Sequence, residues 1–262
     1  MYDSELKVCI EAGIKASKKV MEIYNDLSFK VETKDDDSPV TTADLAANDI
    51  IISVLSQRFP EYAILSEETA DNTSRLTSDY LFVIDPIDGT KDFIAHNDEF
   101  CINIGLVHNH KAVVGVVLIP ALDKIYYAVS GKGAYLTNYD GSVNKRISVS
   151  DKTSNLTVLT SRFFHHDEDQ EMITKNSFAI SKQETCGSAY KMCRIAEGSA
   201  ELIYRMRPGT KEWDTAAPQI IIEEAGGLFL EIPSLKPLTY NRVNVKNVNP
   251  YIIVNRKENI LL

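Results

Sequence analysis

Apolar residues recur at three-and-four spacing from Asp3 to Tyr24. Leu6, Cys9, Ile10, Gly13, Ala16, Val20 and Ile23 fall on one side, which predicts an amphipathic helix. Phe29 to Thr33 reads as a short strand and Lys34 to Pro39 as a charged loop. Thr41-Thr42-Ala43-Asp44 reads as a capping box opening a second helix, with Ala47, Ile51, Val54 and Leu55 on its buried side. Tyr62 to Leu65 is a short strand, and the polar run Ala70 to Ser78 a mobile loop. The apolar run Tyr80 to Ile84 suits a buried strand that stops at Asp85-Pro86, because proline lacks the donor a central strand needs. Cys101 to Leu106 and Ala112 to Ile119 flank a polar turn and predict a hairpin, continued by Lys124 to Val129 and Gly133 to Leu136.

Beyond the polar stretch Tyr139 to Asp151 the pattern changes. Strands at Leu156 to Thr160, Phe178 to Ile180, Glu201 to Tyr204 and Gly227 to Leu230 alternate with helices at Asp167 to Lys175, Gly187 to Glu197 and Asp214 to Ala225. A last strand lies near Ile252-Val254. Such alternation predicts a layered α+β or α/β protein, with an N-terminal half at 1–150 and a C-terminal half at 151–262. At 262 residues and 44% hydrophobic, the chain can bury a core in one large domain or two smaller ones.

Charge and cysteine usage narrow the function classes. A net charge of −9 makes a nucleic-acid backbone an unsuitable partner. It also repels a small phosphorylated substrate, so metal ions with a few Lys and Arg would have to reverse the field at the site. Cys9, Cys101, Cys186 and Cys193 form no C-x-x-C pair and read as reduced, packed thiols. The N-terminus shows no signal pattern, and no apolar run approaches membrane-spanning length. The expectation is a cytoplasmic protein without a transmembrane segment, with peripheral attachment at the inner membrane as the bacterial variant.

The candidate chemistry begins at Asp85-Pro86-Ile87-Asp88-Gly89-Thr90. A strand that ends by aiming Asp85 and Asp88 at one small volume must offset their repulsion, and a hard divalent cation such as Mg²⁺ does so. Taken alone, Asp44 is a helix cap, Glu67 and Glu68 are solvated surface charge, and Asp214 is the N-cap of its helix. Gly131-Lys132-Gly133 lacks the third glycine of a dinucleotide loop. His108 and His110 have no acidic or cysteine company. Ser188-Ala189-Tyr190-Lys191 matches the S-x-x-K of penicillin-recognising serine enzymes, but no Ser-Asp-Asn accompanies it and Lys152-Thr153-Ser154 comes before it.

Asp85 to Thr90 followed by Phe93, together with Trp213-Asp214-Thr215-Ala216-Ala217, resembles the two signatures of the inositol monophosphatase superfamily of Mg²⁺-dependent, lithium-sensitive phosphatases. The resemblance implies an αβαβα sandwich. It implies that Glu67, Asp85, the Ile87 carbonyl, Asp88 and Asp214 hold two or three Mg²⁺, with Mn²⁺ as a substitute. Such a ligand set, without histidine or thiolate, selects these ions over zinc. Asp44 and Thr90 would orient the attacking water and accept its proton, without a phosphoenzyme.

Within the superfamily, Gly187-Ser188 with Lys191, and Lys211-Glu212-Trp213-Asp214-Thr215-Ala216-Ala217-Pro218, are most similar to 3′(2′),5′-bisphosphate nucleotidases. Those remove the 3′-phosphate of adenosine 3′,5′-bisphosphate to leave AMP; its 5′-phosphosulfate analogue is a second candidate substrate. Gly89, Thr90, Ser161, Arg162, Gly187, Ser188, Lys191 and Asp214 become the expected substrate contacts, with phosphate at the helix N-terminus after Gly187 and a second phosphate on Lys191. Many nucleotidases carry Ser-Arg-Ser-His where this chain has Ser161-Arg162-Phe163-Phe164-His165, so the histidine is displaced and Phe164 stands in its place. An inositol or other sugar-phosphate phosphatase is the alternative.

Overall fold

The structure, a computed structural model, describes residues 1–26, 29–33 and 39–262. The first half runs α1 (Asp3–Asp26), β1 (Val31–Thr33), β2 (Pro39–Thr41), α2 (Thr42–Arg58), β3 (Ala63–Ser66), β4 (Tyr80–Asp88), α3 (Thr90–Ile94), β5 (Cys101–His108), β6 (Lys111–Ile119), β7 (Lys124–Val129), β8 (Gly133–Thr137) and β9 (Asn144–Ile147). The second half runs β10 (Leu156–Thr160), α4 (Asp167–Lys175), β11 (Ile180–Thr185), α5 (Tyr190–Ala196), β12 (Leu202–Arg205), α6 (Glu212–Glu224), β13 (Leu228–Glu231) and β14 (Tyr251–Val254). Strands β3 to β9 form a seven-stranded sheet in sequence order, and the second half forms a five-stranded sheet ordered β11-β10-β12-β14-β13.

The two-residue period of the strands decides the layers. Phe82 and Ile84 of β4 join a core with Val8, Ala12 and Ala16 of α1 and Ala47 and Ile51 of α2. Leu81 and Val83, pointing the other way, join a second core with Ile195 of α5 and Ala216, Ala217 and Ile220 of α6. On β14, Tyr251 and Ile253 share that second core, while Ile252 and Val254 share a third with Ile173 of α4. The stack is therefore α1 and α2, sheet, α5 and α6, sheet, α4: the αβαβα sandwich expected. Helix α6 belongs to the second half of the chain and packs on the sheet of the first.

A close approach makes that packing possible. Gly105 on β5 and Gly115 on β6 lie directly opposite each other in the ladder. A Cβ on Gly115 would sit 2.3 Å from the Ala217 carbonyl oxygen and 2.5 Å from Ile220 Cγ2. Only glycine lets α6 lie this near the sheet, and this seat carries its N-terminal turn to the end of β4.

Several expectations are corrected. Strand β4 does not stop at Pro86; it continues to Asp88 through an irregularity in its pairing with β5 between Asp85 and Asp88, a bulge that tolerates the missing proline donor. The strand placed at Phe178 begins at Ile180 and runs to Thr185, after a turn held by Asn176. The polar stretch after Tyr139 contains β9, an exposed edge strand without apolar alternation to announce it. Within Ala70 to Ser78 lies a 3₁₀ turn, Thr73–Thr77, whose Arg75 is 2% exposed. Arg75 binds Asp71 through two nitrogens (2.7 and 2.8 Å), Asn241 (2.9 Å) and the Arg242 carbonyl (3.0 Å). A partner so distant in the chain turned a polar run into a packed anchor. Of the expected charged loop, residues 34–38 lie outside those described.

Candidate active site

The end of β4 is the floor of a cleft of about 450 Å³ that opens between the two halves. The bulge turns Asp85 and Asp88 toward it, and Gly89, at φ 90°, makes the turn into α3. A side chain at Gly89 would also meet Asp92 Oδ2 at 2.9 Å and Ser188 Cβ at 3.0 Å. Asp88 Oδ2 accepts from the Ala189 N–H (2.5 Å) and Asn103 Nδ2 (3.2 Å). From the other half, Asp214 comes in at the third position of α6, with Oδ2 accepting the Lys211 N–H at 2.6 Å. The expected N-cap role thus passes to Lys211, because the helix opens before Asp214; the carboxylate still anchors the helix start, reaching backward to it.

One carboxylate oxygen from each of Asp85, Asp88 and Asp214 lies within 4.8 Å of the others. Glu67 follows β3, gives its N–H to the Ile84 carbonyl (3.1 Å) and lines the same cleft, as does Ile87. Burial, reinforced by Glu67, Asp88 and Asp214, pushes the Asp85 carboxyl well above the usual range. Burial raises Asp88 to about 6, against the opposing pull of Lys191, Asn103 and the Ala189 N–H. Asp214 is raised to about 7 by burial and then by Asp88 and Glu67. Asp85 Oδ1 and the neighbouring Asn103 Oδ1 are buried without a hydrogen-bond donor among the described residues. Crowded carboxylates, oxygen-only donors and orphaned acceptors fit a hard divalent cation such as Mg²⁺.

Asp44 closes a true capping box. Its Oδ2 accepts from the Thr41 N–H (2.8 Å) and Thr41 Oγ1 (2.5 Å), and its Oδ1 accepts from Thr90 Oγ1 at 3.2 Å. Asp44 is 1% exposed and is reached from the cleft side through Thr90, whose hydroxyl also lies 3.3 Å from the Ile87 carbonyl. Burial raises the Asp44 carboxyl, with the Thr41 bonds acting in the opposite direction. Cap and site are served by different oxygens of one carboxylate.

The expected substrate contacts Ser161, Arg162, Gly187, Ser188 and Lys191 all line the cleft. Their side chains are engaged differently from expectation. Arg162 makes a two-bonded pair with Glu99 (2.8 and 2.8 Å), and Glu99 also accepts the Gly187 N–H at 2.7 Å. The helix expected to start after Gly187 starts at Tyr190, and the Gly187 and Ala189 amides point at Glu99 and Asp88. Carboxylates of the protein therefore take the amides expected to hold phosphate. The Ser188 hydroxyl donates to the Glu99 carbonyl, and Lys191 Nζ binds the Ser188 carbonyl at 2.7 Å, which removes the serine-nucleophile reading of S-x-x-K. Gly187 is required by shape, since a Cβ there would sit 2.5 Å from Asp92 Oδ1.

Sequence reasoning missed Glu99, Asn103 and Glu212. Asn103 had a signal, a lone amide in the apolar run Cys101 to Val107. Glu212 is fully buried and accepts from the N–H groups of Asn241 (2.8 Å) and Arg242 (3.0 Å) and from Arg242 Nε (3.0 Å), tying the start of α6 to the Arg75 anchor. Nothing local announced it or Glu99. Phe163 and Phe164 form part of the cleft wall, and Lys91 Nζ lies 4.6 Å from the Phe164 ring centroid. Among the described residues, no helix is long and apolar enough to cross a membrane.

Residues 1–257 match the sequence profile of the inositol monophosphatase family. The 3′(2′),5′-bisphosphate nucleotidase CysQ of Salmonella typhimurium is 36% identical over 213 residues, covering 80% of this chain and 84% of the relative. Inositol monophosphatase 3 of Solanum lycopersicum is 31% identical over 254 residues, 92% of each chain. The crystal structure of CysQ from Bacteroides thetaiotaomicron superimposes with a TM-score of 0.85 at 32% identity, covering 98% of this chain and 99% of that one. Profile, fold and acidic cluster agree: this chain is a magnesium-dependent phosphatase belonging to the inositol monophosphatase family.

Proposed function

We propose that the substrate is adenosine 3′,5′-bisphosphate, hydrolysed at its 3′-phosphate to AMP and inorganic phosphate, in the cytoplasm. The observation that carries this reading is the cleft itself. Its floor is the acidic cluster of Asp85, Asp88 and Asp214, and its walls add Phe163, Phe164, Arg162 and Lys191. A volume of about 450 Å³ suits a whole small-molecule ligand, within the roughly 300–1,000 Å³ of such sites. The exposed Phe164 ring offers a face on which a flat base stacks.

Two or three Mg²⁺, or Mn²⁺ in their place, held by Glu67, Asp85, Asp88, Asp214 and the Ile87 carbonyl, would neutralise phosphate charge and acidify a water. The chain's own part is proton handling and alignment. Thr90 Oγ1 receives the water's proton while passing its own to Asp44 Oδ1, 3.2 Å away. The raised carboxyl of Asp44 suits it to hold that proton, and its bonds to Thr41 keep it in place. With Ser188 turned to the Glu99 carbonyl, phosphorus is attacked directly and no phosphoenzyme forms. Curated relatives include both a nucleotidase and an inositol phosphatase, so substrate comparison is decisive. Phosphate release from adenosine 3′,5′-bisphosphate should exceed that from inositol 1-phosphate, and both should vanish without Mg²⁺. A clear preference for the inositol ester would reassign the chain as an inositol monophosphatase.

A further inference from the structure

Strand β5 is apolar from Cys101 to Val107 except at Asn103, whose amide is fully buried. The pleat puts Asn103 on the face it shares with Cys101 and Gly105, toward α6. The ladder sets it directly opposite Asp85 of β4 on one side and Val117 of β6 on the other. A buried amide is unfavourable unless its polar atoms find partners, and only half of this one does. Nδ2 donates to Asp88 Oδ2 (3.2 Å), whereas Oδ1 has no donor among the described residues. An ionised carboxylate only accepts, so the amide must turn its nitrogen to Asp88 and leave its own oxygen behind. A leucine would suit the same strand without stranding any atom. The stranded oxygen is what the fold gives up to keep a donor on Asp88.

That donor does not act alone. The Ala189 N–H reaches the same Oδ2 at 2.5 Å. Two N–H groups, one from each half of the chain, thus fill one oxygen of Asp88 and leave Oδ1 as the oxygen that can face a cation. The choice of ion depends on this. Mg²⁺ demands a near-ideal octahedron, which the narrow bite of a two-oxygen carboxylate does not suit, whereas Ca²⁺ accepts one or both oxygens in a looser shell.

We propose that Asn103 is a positioning residue of the acidic cluster: by holding Asp88 Oδ2, it restricts Asp88 to a single free oxygen and so favours Mg²⁺ over Ca²⁺. The inference rests on the reading of Asp88 as a cation ligand and deepens it. Asn103 acts through Asp88 and touches no reacting atom.

The test is calorimetric titration of the metal-free full chain with MgCl₂ and, separately, with CaCl₂, in the absence of substrate. Asn103→Leu keeps the approximate shape and removes the donor. It should weaken Mg²⁺ binding about 10- to 100-fold, the range for losing a hydrogen bond behind a metal ligand. Ca²⁺ binding should change by less than about threefold, because a freed Oδ2 suits the less exacting ion. A general loosening of the fold would weaken both ions together. In turnover, the half-maximal Mg²⁺ concentration should rise by the same factor, while KM for the phosphate ester at saturating Mg²⁺ stays within about twofold. Asn103→Ala removes the donor without adding bulk and carries the same expectations if Asn103→Leu does not fold. Equal losses for both ions, or an unchanged Mg²⁺ affinity, would overturn the assignment of Asn103 and leave Asp88 a ligand. Asp88→Asn, titrated alongside, should lose more Mg²⁺ affinity than either Asn103 variant; if it lost none, the ligand reading would fall together with this one.

Discussion

Gly115→Ala tests whether the seat of α6 on the sheet sets the geometry of the acidic cluster. The added Cβ would lie 2.3 Å from the Ala217 carbonyl oxygen, where ordinary contact begins at 3.4 Å. The obstacle is helix backbone, which has no rotamer to turn away, so α6 must retreat by about 1.1 Å. Overpacking of this kind costs about 1–3 kcal/mol, and with about 2–4 °C lost per kcal/mol in a chain of this size, Tm should fall by roughly 2–12 °C. Asp214 sits one turn before Ala217 and moves with the helix, away from Asp85 and Asp88. A displacement near 1 Å at a catalytic constellation is worth about a hundredfold in rate. The variant should therefore need more Mg²⁺ and release phosphate about a hundredfold more slowly while remaining folded. Gly105→Ala is the internal control, since its nearest neighbours, Ala216 Cβ and the Ala217 nitrogen, are at 3.2 Å. That clash is relieved by a few tenths of an ångström, so both effects should be small. If Gly115→Ala kept the wild-type Tm, rate and Mg²⁺ dependence, the account of how α6 delivers Asp214 would be wrong.

Three further outcomes are expected. Asp88→Asn should leave circular dichroism unchanged and lower Mg²⁺-dependent phosphate release by roughly a hundredfold or more; near-normal turnover at saturating Mg²⁺ would remove Asp88 from the site. Thr90→Val should reduce kcat by about 10²- to 10⁴-fold with little change in KM, because Asp44 would then lose its route to the cleft; an unaltered kcat would show that the proton leaves another way. The third concerns pH. Asp88 and Asp214 rise from 3.8 to about 6 and about 7 in the folded protein, so between these values the metal-free fold binds more protons than the unfolded chain. Its stability should therefore fall as pH rises from about 4 to about 7. Added Mg²⁺ should raise Tm more at about pH 8 than at about pH 5.5, and equal increments at both would contradict the shared-cation cluster.

The local patterns were readable wherever one face of an element meets the core. The expected helix Asp167 to Lys175 is found with those bounds, and the strands around the turn at His108 form the hairpin that their apolar runs predicted. The capping box at Thr41 was also legible, because its partners lie within one turn. Elsewhere the deciding partner is distant. Pro86 can stay in β4 because a bulge against β5 absorbs it, and Arg75 is buried because Asn241 and Arg242 come to meet it. Asp214 could be identified as chemistry but not placed, since the start of α6 depends on Glu212 and its contacts near Asn241.

By itself, the order of apolar and acidic residues determined the alternation of helices and strands and the two motif-bearing segments, while the five-layer stack and the acidic donor set were expectations drawn from the family resemblance. Tertiary structure alone decided which groups remain available: the Gly187 and Ala189 amides and the fork of Arg162 go to the protein's own carboxylates. The physical reason is that a side chain's chemical type is local, whereas its unsatisfied valence depends on every group that folding brings within hydrogen-bond reach.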